Sequence, residues 1–383
     1  MKKNRKGIGL FQLIDRHAFD RLVEKWGMDK WVRGLQTWEL TCALISAMTM
    51  RLQSYREIEQ ALGIPRATLG DALARRHSGF FTELCDEILL QIRARTKDRK
   101  VKRAIRQIMA IDSSEIRVHG SLFSSPGWQQ KAAEGHQAAA KLHAIWNVDG
   151  EWIDDYLITG ARLSDSRIGR LLEIRAGKIY VFDRAYNDVT FWLEIIEAGS
   201  HFVTRLKELS IAKLKEGKAA EAKRKDGVLY DGIYRPCLGV LQDIPAEERL
   251  AVEFRYVVYR DPLTKKVFYF VTSDRKISAQ TVADIYKKRW AVELLFRWMK
   301  GHLDVRYLPV KNKNAVKVQL AIAVMIQLML QMKKIKDRFQ GTLWELLRSI
   351  RTELARQTLI LSGSPDGCRW SGPPRKDLGG GFG

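Results

Sequence analysis

Tyr286, Arg289, Glu293 and Lys300 lie in the stretch TVADIYKKRWAVELLFRWMKGHL, at offsets of 0, 3, 7 and 14 residues. The stretch is rich in Ala, Leu, Lys, Arg and Met and has no Gly or Pro before Gly301, so it predicts a helix over 281–302. At roughly 100° per residue the four side chains fall within about 60° of one another. A phenol, a guanidinium, a carboxylate and an ammonium would then share one stripe, with Leu294, Leu295 and Trp298 off it and free to face a core. A carboxylate between two cations suits a metal-bound phosphate backbone: the acid holds the metal and the cations hold the anion. The plainer reading is a solvated face with i,i+4 ion pairs such as Arg289–Glu293.

Two further carboxylates end apolar runs upstream. IRQIMAIDSSEIRV (105–118) is β-prone up to Asp112, and KIYVFDRAYND (178–188) up to Asp183. Such runs read as buried strands that deliver an acid to a sheet edge, or more plainly as strands whose acid caps a turn. Between them, LHAIWNV and EWIDDYLIT flank Asp149-Gly150, a hairpin signal. SDSRIGRLLEIR (164–175) reads as a helix with Ser164 or Asp165 at its N-cap. The order strand, strand, strand, helix, strand, helix predicts an α/β fold with a mixed sheet. RYVVYRDPLTKKVFYFVTS (255–273) reads as another hairpin, with Asp-Pro at its turn, and VLYDGIYRPCLGVL (228–241) adds short β-prone pieces.

Residues 10–96 read as all-helical, with one helix over 36–50. SYREIEQALGIPRATLGDALARR (54–76) has the pattern of a helix-turn-helix: Ser54 and Glu57 as a capping-box pair, a Gly63-Ile64-Pro65 turn, and Arg66, Thr68, Arg75 and Arg76 available for DNA. An ordinary helical hairpin in a bundle is the plainer reading. RARTKDRKVKR (93–103) is a basic linker or helix end suited to backbone contacts, and RLKELSIAKLKEGKAAEAKRKDG (205–227) is a solvated amphipathic helix or a non-specific DNA track.

The spacing Y-x2-R-x3-E-x6-K of Tyr286, Arg289, Glu293 and Lys300 resembles the signature of the IS4 family of bacterial DDE transposases. DRAYND around Asp183 and AIDSSEI around Asp112 resemble the family's other acidic motifs, and KLHAIWN (141–147) and SHFVTRLK (200–207) resemble family segments, so the likeness runs from about residue 10 to 340. Ala185 stands where such proteins more usually carry glycine, which bears on the local turn rather than on the carboxylate. The resemblance implies an α/β, RNase H-like mixed-sheet core with a β-rich insertion, plus an N-terminal all-helical domain that binds the transposon ends. Room for the insertion exists, since 110 residues (293 − 183) separate Asp183 from Glu293.

It also implies that Asp112, Asp183 and Glu293 bind two Mg²⁺ ions, for which Mn²⁺ can substitute. Arg289 and Lys300 would hold phosphates and Tyr286 would hydrogen-bond one. The enzyme would cut the terminal inverted repeats, through a hairpin with a flipped base, and join 3′-hydroxyls to target DNA. A homodimer on DNA is expected. The resulting division is 1–103 helical and DNA-binding, 104–204 with 282–340 catalytic, 205–281 β-rich, and 341–383 a C-terminal helix and disordered tail. Two alternatives remain at this point: a nuclease that cuts without joining, and a transposase-derived repressor that binds ends but ignores Mg²⁺.

The whole chain fits a polyanion binder, with 66 basic against 44 acidic residues and a net charge of +22 in 383 residues. Basic residues interleave with aromatics, as in KKRWAVELLFRWMK, where cations can neutralise phosphates and rings can stack on an unpaired base, although most tryptophans at helical spacing serve core packing. The seven His and four Cys lack the short-spaced pairs of a zinc site. Four dispersed cysteines suit a reducing cytoplasm, here near the nucleoid. The basic N-terminus has no apolar segment of a signal peptide, and VQLAIAVMIQLMLQM (318–332), short for a membrane span and broken by Gln, reads as a buried helix under the catalytic core.

Overall fold

The computed structural model describes residues 9–97, 107–132, 135–206, 217–219, 227–236, 251–308 and 310–362, with the single positions 241 and 245. Most of the two basic stretches (93–103 and 205–227), Cys237, Cys368 and the tail after Ser362 lie outside them. In chain order the helices are α1 (Arg16–Lys25), α2 (Thr37–Met50), α3 (Tyr55–Leu62), α4 (Arg66–Arg75), α5 (Ser78–Lys97), α6 (Asp165–Gly169), α7 (Val189–Glu197), α8 (Ala279–Lys287), α9 (Trp290–His302), α10 (Lys313–Lys336) and α11 (Leu343–Ser362). The strands are β1 (Ile108–Val118), β2 (Gln129–Ala132), β3 (Gly135–Asn147), β4 (Trp152–Gly160), β5 (Ile179–Phe182), β6 (His201–Arg205), β7 (Gly217–Ala219), β8 (Val228–Tyr234), β9 (Phe254–Arg260), β10 (Val267–Thr272) and β11 (Tyr307–Leu308). The chain divides into two compact units: a helical one (Met1–Arg99, Arg117–Leu122, Trp298–Gly383) and a sheet one (Lys100–Ile116, Phe123–Arg297).

The helical unit follows its local signals closely. Ser54 Oγ accepts the Glu57 N–H at the start of α3, and Gly63, at φ +66°, ends it in the left-handed region that glycine enters without a Cβ penalty. Pro65 stands immediately before α4. The Glu57 carboxylate reaches back to the Gln53 N–H, one residue earlier than a capping box would place it. α10 is long and apolar enough to cross a membrane by length and composition, but most of its apolar window is buried. It packs against α5, α2 and α4, and Asn314 near its start donates to the carbonyls of Leu73 and Arg76. Its burial is as expected, and the neighbours that bury it are helices of its own unit. A helix apolar on every side must be buried, but that pattern does not say by what.

In the sheet unit the strand order is β2-β3-β1-β5-β6-β10-β9-β8-β7, with β4 paired to β3. β1, β5 and β6 run parallel, whereas β6-β10-β9-β8-β7 are antiparallel, so the predicted mixed sheet is present. The two expected hairpins form. β3 and β4 turn through Asp149-Gly150, and β9 and β10 turn at Asp261, whose carboxylate accepts the N–H groups of Leu263 and Thr264. The strands of the β-rich stretch continue the core sheet rather than standing apart, because β10 pairs with β6 from Val203↔Thr272 to Arg205↔Phe270 and so satisfies an edge that would otherwise be open. Phe182, Phe191, Trp192, Phe202 and Phe254 fill the core beside β5 and β6, with Trp192 and Phe202 stacked at 5.0 Å. The helix expected over 164–175 is only the short α6, after which the chain turns at Arg170 and Leu171.

Candidate active site

The β1–β5 ladder runs from Ile108↔Ile179 to Ile111↔Phe182, all eight residues buried. The next residues on these adjacent parallel strands are Asp112 and Asp183, which the register brings side by side, about 5 Å apart between backbones. They are not equivalent. β5 ends at Phe182, so Asp183 stands at a strand end and caps the turn Arg184–Tyr186, its Oδ1 accepting the Ala185 N–H at 2.8 Å. Ala185 has no positive φ, so alanine fits where glycine is more usual. β1 continues for six residues beyond Asp112 to Val118, which corrects the expectation of a strand ending in this acid.

Glu293 comes from the first turn of α9, where the helix dipole favours a negative charge. The single helix expected over 281–302 is instead α8 and α9, joined through Lys288 and Arg289. Around the joint the bonds are i to i+3: Lys288 to Ile285, Arg289 to Tyr286, Ala291 to Lys288 and Val292 to Arg289. This tighter winding moves the side chains off the ideal stripe. Tyr286 is buried, its ring 5.0 Å from that of Phe270, with Arg205 and Arg289 over it. Arg289, 14% exposed, lies between two acids: one terminal nitrogen meets Asp112 Oδ2 at 3.0 Å and the other meets Glu293 Oε1. Lys300 is in the last turn of α9, in the helical unit. Leu295 is buried as expected, but Leu294 and Trp290 are exposed.

The electrostatics match this geometry. Burial pushes the Asp112 carboxyl up to about 6; the Ser113 N–H and Arg289 oppose the shift, while Asp183 and Glu293 add to it. Burial likewise raises the Tyr286 phenol. The Tyr286 hydroxyl lies near enough to Arg289 to feel its charge, yet neither that hydroxyl nor Arg289 Nε has a hydrogen bond of ordinary geometry among the described residues.

Three carboxylates are hard oxygen donors and suit Mg²⁺ or Mn²⁺. Asp112 and Glu293 already converge on one cationic centre, the guanidinium, so the donor set fits a divalent cation. As they stand, no three His, Cys, Asp or Glu side chains among the described residues form a metal cluster. The guanidinium neutralises Asp112 and Glu293 where a metal charge could otherwise do so.

Behind Asp112 lies a set of side chains to which the sequence assigned no site role: Ser113, Lys141, His143, Asp165 and Tyr186. Their signals were the family-like segments AIDSSEI, KLHAIWN and DRAYND and the acid opening α6. In the helical unit, Arg66 and Arg75 are exposed and paired with Glu59 and Asp71, and Thr68 is half-buried. Arg76 departs from expectation. It is 5% exposed, with its guanidinium on Thr37 Oγ1, the Leu35 carbonyl and Asp29, so it is buried among structural contacts rather than presented at the surface.

Residues 103–329 match the transposase DDE domain family, and residues 9–69 match a domain of unknown function, DUF4372. The chain is 32% identical to the transposase y4zB of Sinorhizobium fredii over 69% of this chain and 70% of that one. It is 30% identical to a transposase named for insertion sequence element IS5377 of Geobacillus stearothermophilus over 51% and 50% of the two chains. To one named for element IS4SA of a Synechocystis strain it is 22% identical over 74% and 76%. Among solved structures, piggyBac transposase in a synaptic complex with hairpin DNA matches 93% of this chain and 82% of its own, with a TM-score of 0.52 at 9% identity. A likeness at that identity concerns the fold, and it agrees with the RNase H-like mixed sheet described above.

Proposed function

Because the chain belongs to the DDE transposase family of insertion sequences, we propose that Asp112, Asp183 and Glu293 are its catalytic metal ligands and that it cuts and joins the ends of its own element. The observation that carries this is the register Ile111↔Phe182, which sets two acids side by side, together with the Arg289 bridge from Asp112 to Glu293. The chemistry that two Mg²⁺ ions supply when bound to such carboxylates is activation of a water or 3′-hydroxyl and stabilisation of the leaving oxygen. Bringing the ligands together requires Arg289 to leave Asp112 and Glu293. Once released it can take a phosphate bidentately. The unused hydrogen-bonding capacity of Tyr286 Oη and Arg289 Nε supports a phosphate role for both. Lys300, further along α9, is assigned to the same backbone. Exposed Trp290, with the Arg297 guanidinium 5.7 Å from its ring, suits stacking on an unpaired base, as a hairpin intermediate would require.

End recognition is assigned to 54–76, through exposed Arg66 and Arg75 and half-buried Thr68, with Arg76 excluded. A homodimer would hold the two inverted-repeat ends together, and the substrate places the reaction in the bacterial cytoplasm. The test is a gel assay on labelled element ends with Mg²⁺. Alanine at Asp112, Asp183 or Glu293 should abolish nicking while leaving end binding intact, and pre-cleaved ends should be joined to target DNA by the wild type. Full cleavage by Glu293→Ala would remove the metal assignment. Cleavage without joining would make the protein a nuclease.

A further inference from the structure

β1 loses its β5 neighbour at the residue that carries Asp112. The β1–β5 ladder covers Ile108–Ile111, and β11 pairs with β1 at Arg117 and Val118. On that side of β1, no ladder among the described residues holds Asp112–Ile116, so other contacts must fix the carboxylate. Arg289 meets Oδ2, and Ser113 supplies the contact to Oδ1. Its N–H donates to Asp112 Oδ1 at 2.8 Å, and its hydroxyl donates to Asp165 Oδ1 at 2.9 Å. The same Asp165 oxygen takes Lys141 Nζ at 3.3 Å. Lys141 is 9% exposed, its ammonium also 3.4 Å from the Leu163 carbonyl and 3.9 Å from Glu115.

His143, two residues along the same face of β3, closes the set. Its Nε2 is 3.0 Å from Thr159 Oγ1, and its Nδ1 is 3.2 Å from the Tyr186 hydroxyl. Burial and the neighbouring Lys141 charge hold the ring neutral. Its 3.4 Å approach to Asp165 is therefore not an ion pair, and Lys141 is the cation that balances Asp165.

A lysine and an aspartate shielded in this way do not need to be there for stability. Desolvation offsets much of their attraction, and apolar side chains of similar volume often serve as well. What the pair does here is present one oriented oxygen to the residue next to Asp112. We infer that Asp165, held by Lys141, is a positioning residue for the Asp112 carboxylate, acting through Ser113. The chain Lys141–Asp165–Ser113 sets how that carboxylate is aimed at a divalent cation. This rests on the assignment of Asp112 as a metal ligand made above.

The full-length protein tests it with Mn²⁺, using electron paramagnetic resonance to read free ion and a labelled duplex to find the Mn²⁺ concentration for half-maximal nicking. Ser113→Ala and Asp165→Ala should each weaken Mn²⁺ binding about tenfold or more, the scale of groups that orient a metal ligand. The double variant should lose no more than either single one, because both act along one path. Asp165→Asn should recover most of the affinity, since its amide oxygen still accepts from Ser113. Should Asp165→Ala not fold, Ser113→Ala against Asp165→Asn carries the comparison. Unchanged Mn²⁺ affinity in Ser113→Ala, additive losses in the double variant, or an Asn variant as weak as Ala would each overturn the inference. Asp112→Ala separates the two levels. If it keeps Mn²⁺ binding and nicking, the ligand assignment itself fails; if it loses both while Ser113→Ala is silent, only the positioning role fails.

Discussion

Arg76 and Arg289 are both arginines withdrawn from solvent at the end of a helix or in a joint between helices, and both meet carboxylates. In Arg76 the guanidinium is finished: it reaches Thr37, the Leu35 carbonyl and Asp29, and these hold α4 to the segment before α2. Arg289 is unfinished. Its Nε has no partner among the described residues, and its two bonds go to Asp112 and Glu293, acids that the proposed reaction needs for something else. A buried arginine with no buried donor left over is a fastener. One with a spare donor, bound to two candidate metal ligands, is a counter-ion that can be exchanged.

The sharpest way to break this contrast is to remove each arginine. Arg76→Ala should cost about 3 kcal/mol of stability, because it leaves Asp29 and the Leu35 carbonyl without their buried partner. Urea denaturation followed by circular dichroism reads the loss, and no divalent cation should restore it. Arg289→Ala should give the opposite pattern. It should melt earlier than wild type without metal, since Asp112, Asp183 and Glu293 then repel one another, and Mg²⁺ should raise its Tm more than that of wild type. If Mg²⁺ shifts both variants equally, Arg289 is a fastener too.

A second experiment sharpens the role of the released guanidinium. Arg289→Ala and Lys300→Ala should still permit the first nick, which depends mainly on the acids, but should stall at hairpin formation or opening, where the strand is tightly bent. Arg289→Lys should stall as well, because an ammonium cannot hold a phosphate bidentately. A gel time course resolves nicked, hairpin and flush-cut products. Equal slowing of every step would leave the two cations with general DNA affinity only.

A milder effect concerns His143, which faces Lys141, Asp165, Tyr186 and Thr159. Its folded-state pKa is held down to about 3 from an ordinary 6.5, by burial first and Lys141 second. The unfolded chain takes up a proton that the folded chain refuses. The contribution is thus present above about pH 6.5 and lost as pH falls towards 3. Thermal melts at pH 7 and pH 5 should show a drop that His143→Gln reduces. The smallest expected change is at the helix-turn-helix, where Arg66→Ala or Arg75→Ala should each weaken end binding and, if it touches a phosphate, lower the salt slope by about one. An unchanged slope would mean that these exposed pairs with Glu59 and Asp71 face solvent only.

What could be read from the residues was local. Apolar runs marked Asp112 and Asp183, the Asp-Gly and Asp-Pro pairs marked both hairpins, and Ser54 and Gly63 marked the ends of α3. What escaped was relational. The identity of Asp112 as a mid-strand residue depends on the neighbours that carry β1 on to Val118, β3 along one side and β11 at its end, which no feature of β1 encodes. The break between α8 and α9 has no Gly or Pro to announce it, so ideal helical periodicity placed Tyr286 on a polar stripe when it packs on Phe270. Arg76 and Arg75 are adjacent and alike in composition, yet one is buried and the other exposed, because Asp29 and Thr37 wait on one side only.

The placement of α10 has a consequence for how the chain is made. The apolar faces of α2 and α5 are covered by a helix whose first residue follows the last of α5 by 216 positions (313 − 97). At translation speeds of about 5–20 residues per second, those faces wait roughly ten to forty seconds for their cover, while the intervening sheet unit emerges from the ribosome. The amino-terminal helices are therefore synthesised first and finished last. A recombinant piece ending near residue 100 would leave those faces of α2 and α5 uncovered and would need α10 supplied, by permutation or as a separate segment, before its DNA affinity could be measured.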